Sequence, residues 1–79
     1  MEKRKSESFI PDVKKVLGDA YTVSLAVISG SVIVKKGEKT VIRIFDSINE
    51  HGFIVRVDDK SEIDMARKLA DELKIKLVE

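Results

Sequence analysis

Apolar residues recur with the period of an α-helix along most of residues 9–29. On a helical wheel at 100° per residue, the large apolar side chains collect on one side, and only residues 24–26 break the pattern. Ser8 suits the N-cap, Pro11 suits the first turn, and Gly30 suits the position just past the C-terminus. The pattern therefore predicts one long helix over this segment.

The second half of the same segment also fits a β-strand. Gly18 and Asp19 form a natural break. The β-prone apolar residues Tyr21, Val23, Leu25 and Val27 then alternate with smaller residues. The apolar stripe keeps a single phase across Gly18, which favours the long helix. A helix followed by a strand is the open alternative.

The middle of the chain contains three short runs rich in Val and Ile, at residues 31–36, 39–45 and 52–57. The first two runs are joined by a connection of hairpin length that contains Gly37. The second and third are joined by a longer polar loop, residues 46–51. This arrangement predicts three antiparallel strands.

A second helix follows the third strand. Asp59 or Ser61 can cap it, and Glu62 and Asp64 lie favourably at the positive end of its dipole. Its apolar stripe consists of Ile63, Ala66, Leu69, Ala70 and Leu73. Residues 74–79 alternate again and predict a last short strand.

These elements predict an α+β fold in two layers, with the order α-β-β-β-α and a further C-terminal strand. We expect an antiparallel sheet of three to five strands with two helices on one face. Residues 9–79 would form this single domain, and residues 1–8, which are polar and charged, a flexible basic tail.

Strand alternation divides the side chains between the two faces of the predicted sheet. The core side receives Val32, Val34, Ile42, Ile44, Phe53, Val55 and Val57. The opposite side receives Ile33, Lys35, Lys39, Val41, Arg43, Phe45, Ile54 and Arg56. Every charge on that second side is positive, and such a mixture of cations, aliphatic groups and a phenyl ring suits RNA.

The overall charge does not reveal this asymmetry. The 79 residues include 15 Lys+Arg and 14 Asp+Glu, a net charge of +1. Residues 1–43 have nine basic and five acidic side chains (+4), whereas residues 44–79 have six and nine (−3). The chain has no Gln and one Asn, and 37% of it is charged, a bias that predicts a heat-loving source.

Composition also narrows the chemistry. The absence of Cys excludes a disulfide framework, a thiolate zinc site and a cysteine nucleophile. We find neither a basic-then-apolar leader nor a run of 18 apolar residues, so the expected protein is soluble and cytoplasmic, without a membrane partner.

Motifs for catalysis are weak. His51 is the single histidine, and its acidic neighbours fit a polar turn before a helix cap better than a metal or acid–base site. The Ser29-Gly30-Ser31 string lacks the flanking pattern of a nucleophile elbow, and residues 36–40 lack the glycines of a phosphate loop. We therefore expect no catalytic residue, no metal and no cofactor.

Several strings resemble one protein family. They are SVIVKK at residues 31–36, a turn with a Val-led strand, and GFIVRVDDK at residues 52–60 before a Lys/Ala/Leu helix. In this order they resemble ribosomal protein thirty-eight of the eukaryotic and archaeal large subunit. A similar layout occurs in the two Alu-domain proteins of the signal recognition particle, which bind RNA across the sheet. The resemblance implies RNA contact through the matching basic positions Lys35, Lys36, Lys39 and Arg43.

The expected function is that of a small non-catalytic RNA-binding protein, a ribosomal or ribonucleoprotein component that binds rRNA or another structured RNA. Lys35, Lys36, Lys39, Arg43 and Arg56 would contact phosphates, and Phe45 would stack or pack on a base or sugar. The alternative is a protein–protein interaction module or a homodimer that buries the same sheet face.

Overall fold

The computed structural model describes residues 6–49 and 52–78. The helices are α1 (Ile10–Leu17) and α2 (Ile63–Leu73). The strands are β1 (Thr22–Ala26), β2 (Ser31–Lys36), β3 (Lys39–Ser47), β4 (Gly52–Val57) and β5 (Lys76–Val78). Single 3₁₀ turns occur at Ser6–Phe9, Gly18–Ala20 and Lys60–Glu62. The strands lie side by side in the order β1-β2-β3-β4-β5, so the α+β prediction is confirmed.

The prediction of one long helix over residues 9–29 is wrong, and the alternative of a helix followed by a strand is correct. Helix α1 ends at Leu17 because Gly18 has a φ of 72°, in the left-handed region that glycine adopts without steric cost. The β-prone residues that follow gain more from pairing with β2 than from continuing a helix. Gly30, with a φ of 71°, lies in the β1–β2 turn and caps no helix.

The start of α1 also differs from the prediction. Phe9 precedes the first residue of α1, and no side-chain hydrogen bond caps that terminus, so Ser8 is not the cap. Pro11 does lie in the first turn, where its missing N–H removes no helical hydrogen bond.

The hydrophobic core lies between the sheet and both helices. The predicted core-side strand residues are all buried except Phe53, which is partly exposed and packs against the core. The core contribution of the helices comes from Val13, Leu17, Ala66, Leu69, Ala70 and Leu73. Phe9 is 1% exposed, and its ring packs edge-on against Phe53 with centroids 5.0 Å apart. The residue before α1 is therefore an anchor of the core.

A β-bulge interrupts the pairing of β2 with β3. Val34 pairs with Ile42, but Lys35 pairs with Thr40, so Val41 has no residue opposite it. Val41 is 1% exposed and belongs to the core, which corrects its predicted place on the opposite side of the sheet. Alternation failed here because the extra residue shifts the phase of β3 between Thr40 and Ile42.

The C-terminal strand makes the sheet mixed. Lys74 adopts the left-handed conformation after α2 (φ 57°), and β5 then pairs parallel to β4, with Ile54 opposite Lys76 and Val55 opposite Leu77. The all-antiparallel prediction is therefore wrong for this one pair, because a helix that returns the chain to the far end of the sheet produces a parallel neighbour.

The predicted polar loop and the predicted basic tail both extend outside the described residues. The polar loop is shorter than predicted, because β3 continues to Ser47. Its residues Glu50 and His51 lie outside the described residues, and so do residues 1–5 of the predicted basic tail.

We expect Phe9→Ala to destabilise the fold by about 3–5 kcal/mol, because it removes a buried ring and leaves a cavity beside Phe53. Urea denaturation followed by circular dichroism measures this difference. Ile28→Ala is the control: Ile28 is 104% exposed, so its loss should change the free energy of unfolding by less than about 0.5 kcal/mol. Similar values for the two variants would contradict the central role of Phe9.

Candidate nucleic-acid interface

Both helices pack on one face of the sheet, and no helix of the described residues covers the other face. We call this second surface the open face. Strand register places its side chains in rows across the sheet. One row runs Ile33, Arg43, Arg56 and Val78, and the next contains Phe45, Ile54 and Lys76. Lys35, opposite Thr22 of β1, belongs to a third row.

Charge on the open face is unevenly distributed. Its cations are Lys35, Arg43, Arg56 and Lys76, and Asp58, which follows β4, is the acid beside them. Arg43 lies directly opposite Arg56 on neighbouring strands, a position where two like charges repel. The excess of positive charge at the centre of this face favours an anionic partner.

Arg43 is held by Asp58 in a bidentate ion pair. Its Nε donates to Oδ2 at 2.7 Å, and its Nη2 donates to Oδ1 at 2.8 Å. The two side chains are 39% and 24% exposed, and the bond to Asp58 is the main cause of the raised pKa of Arg43. A guanidinium has five N–H donors, so three remain for a ligand, and its plane can still stack on a base.

Arg56 and Lys35 have no carboxylate partner within residues 6–49 and 52–78. Arg56 is exposed, and Lys35 is half-buried. Both side chains can therefore bind an external anion without first breaking an ion pair in the described structure.

Lys36 and Lys39 do not belong to the open face. They are partners at the end of the β2–β3 hairpin, and the bulge directs Lys39 to the helix side, which corrects its predicted face. Lys36 Nζ lies 3.1 Å from Glu62 Oε1, and Lys39 Nζ lies 3.0 Å from Asp59 Oδ2. The acids of the 3₁₀ turn before α2 thus neutralise both ammonium groups.

Tyr21 adds a third group to the contact between Lys36 and Glu62. Its hydroxyl donates to Glu62 Oε2 at 2.5 Å, and the Lys36 ammonium lies 5.7 Å from the centre of its ring. The Tyr21 bond, together with Lys36, lowers the pKa of Glu62, and the same bond raises the pKa of Tyr21. Contact with Glu62 also raises the pKa of Lys36. These contacts therefore favour the ionised carboxylate of Glu62, the neutral phenol of Tyr21 and the charged ammonium of Lys36.

Backbone contacts from the bulge hold the acids in place. The Val41 carbonyl accepts the N–H of Asp58 at 2.8 Å and that of Asp59 at 3.2 Å. Asp59 then caps the 3₁₀ turn that leads into α2, accepting the Ser61 N–H at 3.1 Å and the Ser61 hydroxyl at 2.8 Å. Hydrogen bonds from Lys39 and Ser61 lower the pKa of Asp59 to about 2.

The apolar part of the open face is better shielded than alternation predicts. Ile54 is only 4% exposed although it is not part of the core between sheet and helices, and Phe45 and Ile33 are half-buried. Lys76 and Val78 also lie on this face, which the sequence analysis missed because the neighbour of the last strand was unknown. The alternation of residues 74–79 was the sequence signal that could have assigned Lys76 and Val78 to one face of a strand.

Of the six candidate residues, the structure brings Lys35, Arg43, Phe45 and Arg56 together on the open face. It separates Lys36 and Lys39 from them. The sequence pattern gives a role only to Asp59, as a helix cap, and gives no sign that Asp58 pairs with Arg43.

Within the described part of the chain, no group of three or more His, Asp or Glu side chains could hold a metal ion. None of the described helices is both long and apolar enough to cross a membrane. A groove on the helix side is lined by Asp12, Lys15, Val16, Lys68 and Glu72, where opposite charges balance.

Comparisons with known proteins give no relative: no family model, no curated protein and no solved structure matches this chain.

We expect Lys39→Met to raise the pKa of Asp59 from about 2 towards its ordinary value of 3.8, because the Lys39 bond is the largest cause of the shift. NMR titration of the Asp59 carboxyl carbon measures this pKa. Lys35→Met removes a lysine without a carboxylate partner and should leave it unchanged. An unchanged Asp59 pKa in Lys39→Met would show that the ion pair does not form in solution.

The same shift predicts a pH dependence of stability. A carboxyl whose folded pKa is depressed stabilises the fold above its unfolded pKa, near 3.9, and this contribution is lost as the pH falls towards 2. The difference in urea midpoint between the wild type and Lys39→Met should therefore be full at pH 6 and shrink between about pH 4 and pH 2.

Proposed function

We propose that this protein is a small non-catalytic RNA-binding protein, a cytoplasmic ribonucleoprotein component that binds RNA on its open face. The observation that supports this most strongly is the cross-strand pair Arg43–Arg56, with Lys35 in the next row and Asp58 bound to Arg43. Asp58 already balances the charge of Arg43, so Arg56 and Lys35 supply the positive charge that a phosphate can bind beside it.

Each residue has a distinct role in this proposal. Arg56 and Lys35, which have no carboxylate partner among the described residues, bind phosphates. Arg43, oriented by Asp58, offers its remaining N–H groups to a phosphate or its plane to a base. Lys36 and Lys39 are paired with acids on the helix side and do not belong to the revised site.

Phe45 gives the open face a platform for bases. It lies opposite Ile54, one row away from the two arginines, and is half-buried. Unpaired bases stack on aromatic rings at sheet surfaces, whereas the bases of a duplex are already stacked. Single-stranded or looped RNA is therefore the proposed ligand class.

Charge reversal tests the phosphate contacts. We expect Lys35→Glu with Arg56→Glu to weaken binding of fluorescein-labelled oligouridine and of a hairpin RNA at least about tenfold, as measured by anisotropy. Because two phosphate contacts are lost, the log–log salt slope on the single strand should fall by about 1.4, or about 0.7 per contact. The matched control reverses Arg67 and Lys68, which are exposed on α2. Equal affinity in the two double variants would contradict the proposal.

Replacing the ring separates stacking from charge. We expect Phe45→Leu, which keeps an apolar side chain, to weaken oligouridine binding by about 1–3 kcal/mol, because a stacked base is lost. The salt slope should stay as in the wild type, since no cation is removed. The same anisotropy titration measures both quantities. Unchanged affinity would remove Phe45 from the site, whereas a lower slope would show that the variant disturbs the neighbouring arginines.

A protein partner on the same face is the second candidate. The half-buried Phe45 and Ile33 give this face accessible apolar surface, and three predicted phosphate ligands are already paired with acids. Such an interface would depend weakly on salt, in contrast to RNA binding. If oligouridine and hairpin RNA both fail to bind at low salt, the protein partner becomes the better explanation.

A further inference from the structure

Strand β1 is an unprotected edge of the sheet. It pairs with β2 on one side, and no described segment pairs with its outer side. Edge strands are usually guarded against further pairing by charges, proline, bulges or shortness. Residues 22–26 contain no charge and no proline, and their register with β2 has no shift. The other edge is guarded, since β5 has only three residues and begins with Lys76.

The lack of charge extends well beyond β1. The 15 residues from Ala20 to Val34 include no Asp, Glu, Lys or Arg, in a chain that is 37% charged. The turn at the end of β1 also exposes two large aliphatic side chains, with Val27 86% and Ile28 104% accessible. A neutral edge with apolar residues at its end suits a second neutral strand.

The backbone direction limits how a second strand can pair. The Ala26 carbonyl accepts the Gly30 N–H at 2.6 Å, so Ala26 directs its backbone groups towards β2. Because this direction alternates along an antiparallel strand, Val23 and Leu25 direct theirs to the outer edge. The side chains of these two residues face the helix side, where they are half-buried.

We propose that β1 pairs antiparallel with β1 of a second copy of this chain, about a twofold axis at Ser24. This register uses all five residues of β1 and places the outward backbone groups of Val23 opposite those of Leu25 from the second copy. It brings Val27 beside Tyr21 of the second copy. The product is a continuous ten-stranded sheet with both helix layers on one side and one joined open face on the other.

Self-pairing is favoured over a foreign strand by the match between the residues involved. About the axis, Val23 meets Leu25 on the helix side, Thr22 meets Ala26 on the open face, and Ser24 meets its own copy. Every such pair is aliphatic with aliphatic, or small with small, and no like charges meet. Five paired residues span about 17 Å, so this interface is small and the association correspondingly weak.

Sedimentation velocity from about 5 to about 500 μM tests the association, because a weak dimer of an 8.9 kDa chain appears only as concentration rises. We expect Ser24→Lys to raise the dimer dissociation constant at least about tenfold, since it opposes two ammonium groups at the axis. Ser29→Lys adds the same charge to an exposed turn residue outside the pairing and should leave the dimer intact. Phe45→Glu should also leave it intact, which distinguishes this interface from a dimer through the open face.

Crosslinking tests the register itself and does not depend on the folding of Ser24→Lys. Residues opposite each other without mutual backbone hydrogen bonds have Cα atoms about 4.5 Å apart, within the range of a disulfide. The chain has no cysteine of its own, so Ser24→Cys should form disulfide dimers with diamide. Thr22→Cys, on the same face and strand, should not, because its two copies lie about 14 Å apart in this register.

Three results would overturn the proposal. The first is a wild-type chain that stays monomeric at the highest concentration, which would favour a foreign strand as the partner of β1. The second is a dimer that Ser24→Lys does not weaken. The third is equal crosslinking of Ser24→Cys and Thr22→Cys. Because none of these measurements involves RNA, failure of the dimer and failure of the proposed function are distinguishable.

Discussion

The β-bulge at Val41 is the local feature on which both sides of the sheet depend. It places one extra residue in β3 and buries that side chain in the core, and its carbonyl faces the segment that follows β4. The carbonyl then accepts two N–H groups from the segment that follows β4. This contact brings Asp58 and Asp59 against β3 at a defined position, so one irregular residue determines where the acids meet the basic strand.

The acids reach the two sides of the sheet differently. On the helix side, Asp59 and Glu62 neutralise Lys39 and Lys36 beside the start of α2. On the open face, Asp58 neutralises Arg43 alone and leaves Arg56 opposite it. Exposed ion pairs contribute little to stability, so the main effect of this arrangement is to select which cations are available to a ligand. The basic surface is narrower than the sequence suggests, and its centre is the arginine pair.

The uncharged segment around β1 has a different role from the basic strands beside it. Most of the exposed residues elsewhere in the described chain carry charge, so a neutral edge that ends in exposed Val27 and Ile28 is a feature to be explained. Pairing of two such edges would join two open faces without bringing like charges together. A longer RNA segment could then contact both arginine pairs on one continuous surface, which links the two proposals without making either depend on the other.

The local sequence pattern was sufficient to predict the structure wherever a residue's conformation and burial depend mainly on its neighbours in the sequence. The three central strands, helix α2, the Asp59 cap of the 3₁₀ turn before it and most of the core side follow from alternation, helical spacing and capping chemistry. Tertiary contacts were needed where two local structures had similar energies or where partners were distant. The segment after Gly18 forms a strand because it pairs with β2. The side chain of Val41 lies in the core because the bulge shifts the register of β3. Likewise, Arg43 and Asp58 are 15 residues apart and meet only after β3 and β4 have paired, since an ion pair depends on distance in space and not on spacing along the chain.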